Sequence, residues 1–156
     1  MPEKRLEKPD LEIAGLQIWI QGRQYPDSVD YWDGNWLNVS IHCGRERSSV
    51  WATGPILHVP DLARFEIELR SFSKSLQGSV ELQMMEPNFG INFKSNDQRT
   101  KAWDYDVDMT VRITPNLVLE KHEFVFGVNQ DHLNTLADQL KAMLGKYPLR
   151  GKSEAT

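Results

Sequence analysis

Residues 61–76 constrain the fold most, because they carry the clearest helical pattern in the chain. Asp61 is in position to cap the first turn, Lys74 suits the negative end of the helix dipole, and Gly78 is expected to end the helix. Five large apolar side chains, at spacings of three and four, contribute about 10 kcal/mol as an upper estimate if buried. This face must therefore cover another layer, and its residues are Leu62, Phe65, Leu69, Phe72 and Leu76.

Most of the remaining sequence alternates between apolar and polar residues, which is typical of β-strands. A change of phase at Ala14 and Gly15 predicts a turn or a bulge between two extended segments. Short polar links predict two hairpins, the second of them turning at Glu86-Pro87-Asn88. The extended segments cover residues 11–23, 37–43, 50–59, 80–84, 89–93, 103–113 and 117–128.

A second amphipathic helix is predicted near residues 130–145, where Gly145 is expected to close it. Runs of consecutive strands with few helical crossovers favour antiparallel pairing. The predicted fold is therefore α+β, with a mainly antiparallel sheet of about six to seven strands and two helices, about 61–76 and 130–145, packed on one face.

The length of 156 residues fits one domain with a real core. We expect a flexible lead-in over residues 1–10, a single α+β domain over 11–150 and a flexible tail over 151–156. No apolar run approaches the roughly 18 residues that span a membrane, and the N-terminal residues lack a secretory pattern. Cys43 is the only cysteine, which excludes an internal disulfide and fits a reducing compartment, so a cytoplasmic location is expected.

The net charge of −4 argues against binding to a phosphate backbone, so direct nucleic-acid binding is not expected. The charge is compatible with a basic protein partner. Three carboxylates, Asp104, Asp106 and Asp108, alternate along the predicted strand 103–113 and would stand about 6.8 Å apart on its outer face. Tyr105 is expected to point inward on the same strand.

This row of aspartates has two interpretations. It is either an acidic strip that docks a basic partner, or the solvated face of an amphipathic strand whose charges prevent aggregation. A calcium loop is disfavoured, because the glycine and the distal glutamate of an EF-hand are missing.

A second acidic segment mixes carboxylates with aromatic residues. Trp32 precedes the turn signal at Asp33-Gly34 and is expected to be exposed. Such a mixture is typical of a protein interface, although the aromatic side chains could equally cover one end of the hydrophobic core. The candidate partner-binding residues here are Asp27, Asp30, Trp32 and Asp33.

The sequence offers no convincing catalytic group. None of the four histidines has metal-ligand spacing, and no phosphate loop or nucleophile elbow occurs. His42 and Cys43 are neighbours on a strand and must face opposite ways, so Cys43 is predicted to be a buried, unreactive thiol. His122 is predicted to be a satisfied core residue. We therefore expect no cofactor, no metal and no enzymatic activity.

Three short strings occur in an order that resembles the WapI-type bacterial immunity proteins over roughly residues 11–151. The resemblance implies a cytoplasmic protein that protects its producer by binding the toxic C-terminal domain of a contact-dependent or wall-associated toxin. It supplies no catalytic residues, and Trp36 and Asn88 within the strings can equally be structural. The strings are Asp33-Gly34-Asn35-Trp36-Leu37, Glu86-Pro87-Asn88-Phe89 and Tyr147-Pro148-Leu149-Arg150-Gly151.

Two functional hypotheses follow. The first is a non-catalytic immunity protein whose acidic surface suits a cognate basic toxin domain, for example a nuclease. The alternative is a small ligand-binding or enzymatic α+β domain with a site between sheet and helices. Homodimerisation through an exposed strand edge stays open. The alternative predicts a cavity where several polar groups converge, and they are Asp104, Arg112, Glu120 and His122.

Overall fold

The computed structural model describes residues 7–96 and 105–152, and within them the chain is α+β with two helices and eight strands. The elements alternate as four strands, a helix, four strands and a helix. In chain order they are β1 (Leu11–Ile13), β2 (Leu16–Arg23), β3 (Trp36–Arg45), β4 (Ser48–His58), α1 (Val59–Ser75), β5 (Ser79–Leu82), β6 (Phe89–Ser95), β7 (Val107–Ile113), β8 (Glu123–Val128) and α2 (Gln130–Lys146).

The strands form two four-stranded antiparallel sheets, in the orders β1-β2-β3-β4 and β5-β6-β7-β8. The prediction of one sheet of six to seven strands was therefore wrong, although the antiparallel pairing was right. Alternation shows which way each side chain faces, but it does not show which strands are neighbours. Helix α1 follows β4 directly and separates the two sheets along the chain.

The predicted extended segment 11–23 is two strands, β1 and β2. The change of phase at Ala14 and Gly15 is the turn of a tight hairpin between them. Leu11 pairs with Ile18 and Ile13 with Leu16 across this turn. Ala14 adopts a left-handed conformation with φ 49°. Gly15 lies so close to β3 that an added Cβ would stand 2.2 Å from the carbonyl oxygen of Gly44. The turn thus needs a residue without a side chain at position 15.

Helix α1 buries the predicted apolar face, but both of its ends differ from the prediction. It begins at Val59, so Asp61 lies inside the first turn and pairs with Arg64 at 2.9 Å instead of capping the helix. Pro60 suits this start because backbone N–H groups in the first turn of a helix have no acceptor within the helix, so proline loses no hydrogen bond there. The helix ends where Leu76 turns left-handed and donates its N–H to the Phe72 carbonyl, two residues before Gly78.

Helix α2 packs antiparallel against α1. Arg70 of α1 donates to the carbonyl of Ala137, while Gln130 donates to the carbonyl of Ser73, so the residue numbers run in opposite directions. The helix continues through Gly145 to Lys146, so the expected stop at Gly145 was wrong. Its buried side chains are Leu133, Leu136, Ala137, Leu140 and Met143.

Both sheets and both helices enclose one apolar core. Phe65 of α1 is 2% exposed and its ring lies 6.3 Å from that of Phe93 in the second sheet. Phe65 also lines, with Ile18 of the first sheet, a small apolar cavity of about 10 Å³. Helix α1 contacts β4 and β5, one strand from each sheet, whereas α2 contacts β1. Residues of both helices line this small cavity, so both helices close the one core and the core is filled.

Two predicted strands begin later than expected. Strand β7 starts at Val107, and Tyr105 is 36% exposed and lies over Gly127 instead of pointing into the core. Strand β8 starts at Glu123, and residues 117–119 form a turn. Asp104 lies outside the described residues, as do residues 1–6 of the predicted lead-in 1–10 and residues 153–156 of the predicted tail 151–156.

Candidate partner-binding surface

The connection between β2 and β3, residues 24–35, forms a compact loop that we call the acidic aromatic loop. Asp30 organises its turn, because one carboxylate oxygen accepts hydrogen bonds from the backbone N–H groups of Trp32 and Asp33, each at 3.0 Å. The Asp30 carbonyl also accepts from Gly34 at 2.8 Å. This is the local hydrogen bonding that aspartate favours at turns. Asp30 therefore shapes the loop, and Asp27 and Asp33 stay exposed.

Trp32 has a fixed orientation and is 44% exposed. Its ring stacks on that of the buried His58, with centroids 5.6 Å apart and planes 12° apart. The Nε2 atom of His58 lies 3.0 Å from the Trp32 carbonyl, which accepts the hydrogen bond. Tyr31 packs edge-on against Trp32 with ring centroids 5.2 Å apart, and the Trp36 ring centroid lies 4.5 Å from that of His58. One face of the Trp32 ring is therefore supported while part of the side chain remains accessible.

The loop is joined to the chain after α2 by two residues, Asn35 and Arg150, which we call the latch. The buried Asn35 side chain donates to the carbonyls of Tyr31 at 2.7 Å and Arg150 at 2.9 Å, and it accepts from the Arg150 N–H at 3.0 Å. The Arg150 guanidinium donates to the carbonyls of Pro26 at 2.6 Å and Ser28 at 2.8 Å. Both amide hydrogens of the buried Asn35 side chain and its oxygen are therefore paired, and Arg23 also donates to that oxygen at 3.4 Å.

A second guanidinium supports the same segment. Arg23 donates to the Gly34 carbonyl at 2.6 Å and to the Pro148 carbonyl. Burial, and next the neighbouring Arg150 cation, lowers the pKa of Arg23 from its ordinary value. Within residues 7–96 and 105–152, neither arginine forms an ion pair. Both cations are thus held by backbone carbonyls of the loop and of the segment after α2.

The second predicted group of aspartates has a different setting. Asp106 precedes β7, and its N–H donates to the Asn129 side chain at 3.3 Å. Asp108 is half-buried and stands directly across from Lys94 on β6. One of its carboxylate oxygens is buried and has no hydrogen-bond partner among the described residues. The face that carries Asp108 also carries Arg112, so its charges are mixed. These residues belong to the second sheet, whereas the loop belongs to the first.

The described residues also present an exposed apolar tip, Leu117, Val118 and Leu119, between β7 and β8. Their side chains are 51%, 89% and 79% exposed. Asn116 holds the turn by accepting hydrogen bonds from the N–H groups of Val118 and Leu119. The sequence pattern predicted a strand over residues 117–128, so the exposed tip at residues 117–119 was not predicted. The available signal was three apolar residues directly after the turn sequence Thr114-Pro115-Asn116.

Three of the four groups predicted to converge between sheet and helices lie elsewhere, and the fourth, Asp104, is outside the described residues. Arg112, Glu120 and His122 line a cleft of about 490 Å³ beside the apolar tip. His122 is partly exposed and lies 3.5 Å from Glu120, so it is not the core residue predicted from the sequence. The cavity between sheets and helices has an apolar lining and room for about one water molecule.

Cys43 and His42 are placed as their alternation predicts. Cys43 is fully buried, and burial raises the pKa of its thiol to about 12. His42 faces the outside of the first sheet, where it donates to Gln17 at 2.6 Å and contacts Ser49 at 2.7 Å. No group of three His, Cys, Asp or Glu side chains suited to a metal occurs within the described residues. Neither helix of the described chain is long and apolar enough to cross a membrane.

Residues 7–148 match the immunity protein WapI-like family. The chain belongs to this family. The resemblance inferred from the three sequence strings is thereby confirmed, and the matched range ends inside the third string. Searches of curated proteins and of solved structures gave no match.

The three strings of this WapI-like chain have structural roles in its fold. The first and third strings meet at the latch, through Asn35 and Arg150. In the second string, Asn88 and Thr114 exchange hydrogen bonds of 2.8 Å, which brace the β5–β6 turn against the end of β7. Two of the three strings therefore shape the loop that presents Trp32.

Proposed function

We propose that this chain is a cytoplasmic immunity protein that binds and neutralises the C-terminal toxic domain of a bacterial contact-dependent or wall-associated toxin, without catalysis. Membership of the WapI-like family supports a toxin partner in general. A filled core supports inhibition by surface contact over chemistry in an internal site.

The observation that carries the proposal is the presentation of Trp32 beside exposed carboxylates. A tryptophan held by its neighbours loses little freedom on binding, and tryptophan is enriched among the residues that dominate interface energies. Asp27 and Asp33 supply a negative rim around it. Such a rim increases the rate of encounter with a positively charged surface. We therefore propose a basic toxin domain as the partner, with the nucleic-acid groove of a nuclease as the surface that suits this loop.

The test begins with capture of the partner. The tagged protein is used to pull partners from lysate and secreted fractions of its own organism at low and high salt. The C-terminal domain of a captured large protein is then expressed in a heterologous host. Restoration of growth by co-expression of this chain supports neutralisation. A captured domain whose toxicity is unaffected by the chain contradicts the proposal.

Mutagenesis then locates the interface. Trp32→Ala is expected to weaken binding by at least about 2 kcal/mol, or about 30-fold in Kd. The pair Asp27→Lys and Asp33→Lys is expected to lower the association rate and to remove most of its salt dependence. Val118→Ser in the apolar tip is the matched control and should leave binding unchanged. Loss of binding in the tip variant, with normal binding in the loop variants, would move the interface to the tip.

Asp106→Lys and Asp108→Lys test the other acidic group. Because Asp108 faces Lys94 across the sheet, we expect this charge reversal to affect binding less than reversal at the loop. A larger loss at Asp106 and Asp108 than at Asp27 and Asp33 would assign the partner surface to the second sheet.

A further inference from the structure

We propose that the latch residues Asn35 and Arg150 are positioning residues for the partner surface: they hold the acidic aromatic loop in the shape that presents Trp32. This inference rests on the proposed function and deepens it. It assigns the orientation of the binding loop to a segment that lies beyond the last helix.

The loop needs external support because, apart from its short 3-10 turn at Asp33–Asn35, only two backbone hydrogen bonds lie within it. Within the loop, Ser28 donates to the carbonyl of Tyr25 at 3.1 Å and Gly34 donates to that of Asp30 at 2.8 Å. Loop carbonyls that lack a backbone donor accept from side-chain donors instead. Arg23, Asn35 and Arg150 supply those donors, and the accepting carbonyls are Pro26, Ser28, Tyr31 and Gly34.

Arg150 is the residue that ties the two segments together. Its guanidinium bonds two carbonyls in the first half of the loop, while its backbone bonds Asn35 at the end of the loop. Hydrogen bonds from a charged donor are about twice as strong as neutral ones. The loop is packed closely under this contact, since a Cβ on Gly34 would stand 2.6 Å from the Ser28 carbonyl. Removal of the guanidinium leaves the Pro26 and Ser28 carbonyls without these donors.

The apparent affinity of the protein depends on the fraction of time that the loop holds its binding shape. If the loop holds its binding shape for only a tenth of the time, the apparent affinity falls about tenfold, although every contacting side chain is still present. The latch residues thus change affinity without touching the partner. A purely structural residue elsewhere would lower stability and leave affinity unchanged.

Arg150→Ala is the test variant, and Arg70→Ala is its matched control. Arg70 also bonds several partners, namely Glu66, Asp138 and the Ala137 carbonyl, but it joins the two helices. Asn35→Asp is a second latch variant of the same size, which loses the two donor bonds of the amide. The readouts are amide hydrogen exchange in the free protein, thermal unfolding, and affinity for the recombinant toxin domain obtained from the capture experiment.

We expect Arg150→Ala to raise exchange in residues 24–35 while leaving β7 unchanged, and to weaken toxin binding about tenfold. Arg70→Ala should lower the melting temperature and leave both loop exchange and affinity at wild-type values. Unchanged loop exchange in both latch variants would overturn the inference, as would raised exchange with unchanged affinity. The two proposals fail in different experiments. If the immunity proposal is wrong, the wild-type protein does not neutralise the toxin domain. If the latch inference is wrong, hydrogen exchange in the free protein shows it, because that measurement needs no partner.

Discussion

At the scale of single residues, the first sheet separates two neighbouring groups that are both capable of chemistry. Cys43 faces the core and His42 faces solvent, because successive side chains of a strand point to opposite faces. Burial acts on both groups by disfavouring their charged forms. The same environment therefore suppresses the nucleophilic thiolate of Cys43 and the imidazolium of His42.

The Cys43 thiol should be unreactive in the native protein. Its pKa of about 12 leaves almost no thiolate at pH 8, and its side chain is fully buried. We expect an aromatic disulfide reagent to label native protein only at the rate at which the chain opens, and to label urea-unfolded protein rapidly. Rapid labelling of the native protein would contradict the buried position.

His42 should make stability depend on pH in a defined direction. Burial lowers its pKa in the folded state, so between that value and its ordinary value near 6.5 the unfolded chain binds more protons. Stability attributable to His42 is therefore complete above pH 6.5 and is lost as the pH falls through the folded-state pKa. Denaturant titrations of wild type and His42→Gln should show a smaller acid-side loss in the variant. Parallel pH profiles would show that His42 contributes nothing.

At the scale of elements, the apolar spacing of both helices predicted their positions to within two residues, but the signals at their ends were less reliable. Asp61 carries the chemistry of a cap, yet Pro60 allows the helix to begin earlier. Gly145 is a common terminator, yet it lies inside α2 with no atom within 4 Å of an added Cβ. Gly145 therefore lies in open space on a helix, whereas Gly15 allows a close approach of two backbone segments. Only the surrounding atoms distinguish these two roles of glycine.

Two glycine-to-alanine substitutions should therefore have opposite effects. Gly145→Ala should stabilise the protein by about 0.8–1 kcal/mol, because alanine has a higher helix propensity than glycine at an exposed helical position. Gly15→Ala should destabilise it by about 1–3 kcal/mol, because the new methyl group would collide with the Gly44 carbonyl and the Phe126 ring. Urea titration of both variants against wild type measures the difference. Effects of the same sign would contradict one of the two backbone assignments.

At the scale of the whole molecule, two sheets share one core that is closed by the helices. Sequence alternation predicted the antiparallel strands and most inward side chains, but it carried no information on how strands divide between sheets. The candidate loop was recognisable from Trp32 and its aspartates. The latch was not, because Asn35 and Arg150 are 115 positions apart and no local pattern connects them.

The shared core predicts that the sheets unfold together. Phe65→Ala removes a ring that contacts the second sheet and lines the same cavity as residues of the first, at an expected cost of about 3–5 kcal/mol. Hydrogen exchange in β3 and in β7 should accelerate by the same factor in this variant. Acceleration confined to one sheet would show two separately folding units.

The distance along the chain between the latch residues also sets an order of events during synthesis. At about 5–20 residues per second, the 115 positions from Asn35 to Arg150 take about 6–23 s to translate. The nascent chain therefore carries Trp32 and its aspartates long before it carries the residue that shapes their loop. Six of the eight strands, β3 to β8, and both helices are synthesised in that interval. A ribosome-bound chain that stops before Arg150 should hence carry Trp32 and its aspartates on a loop that is not yet held in its final shape.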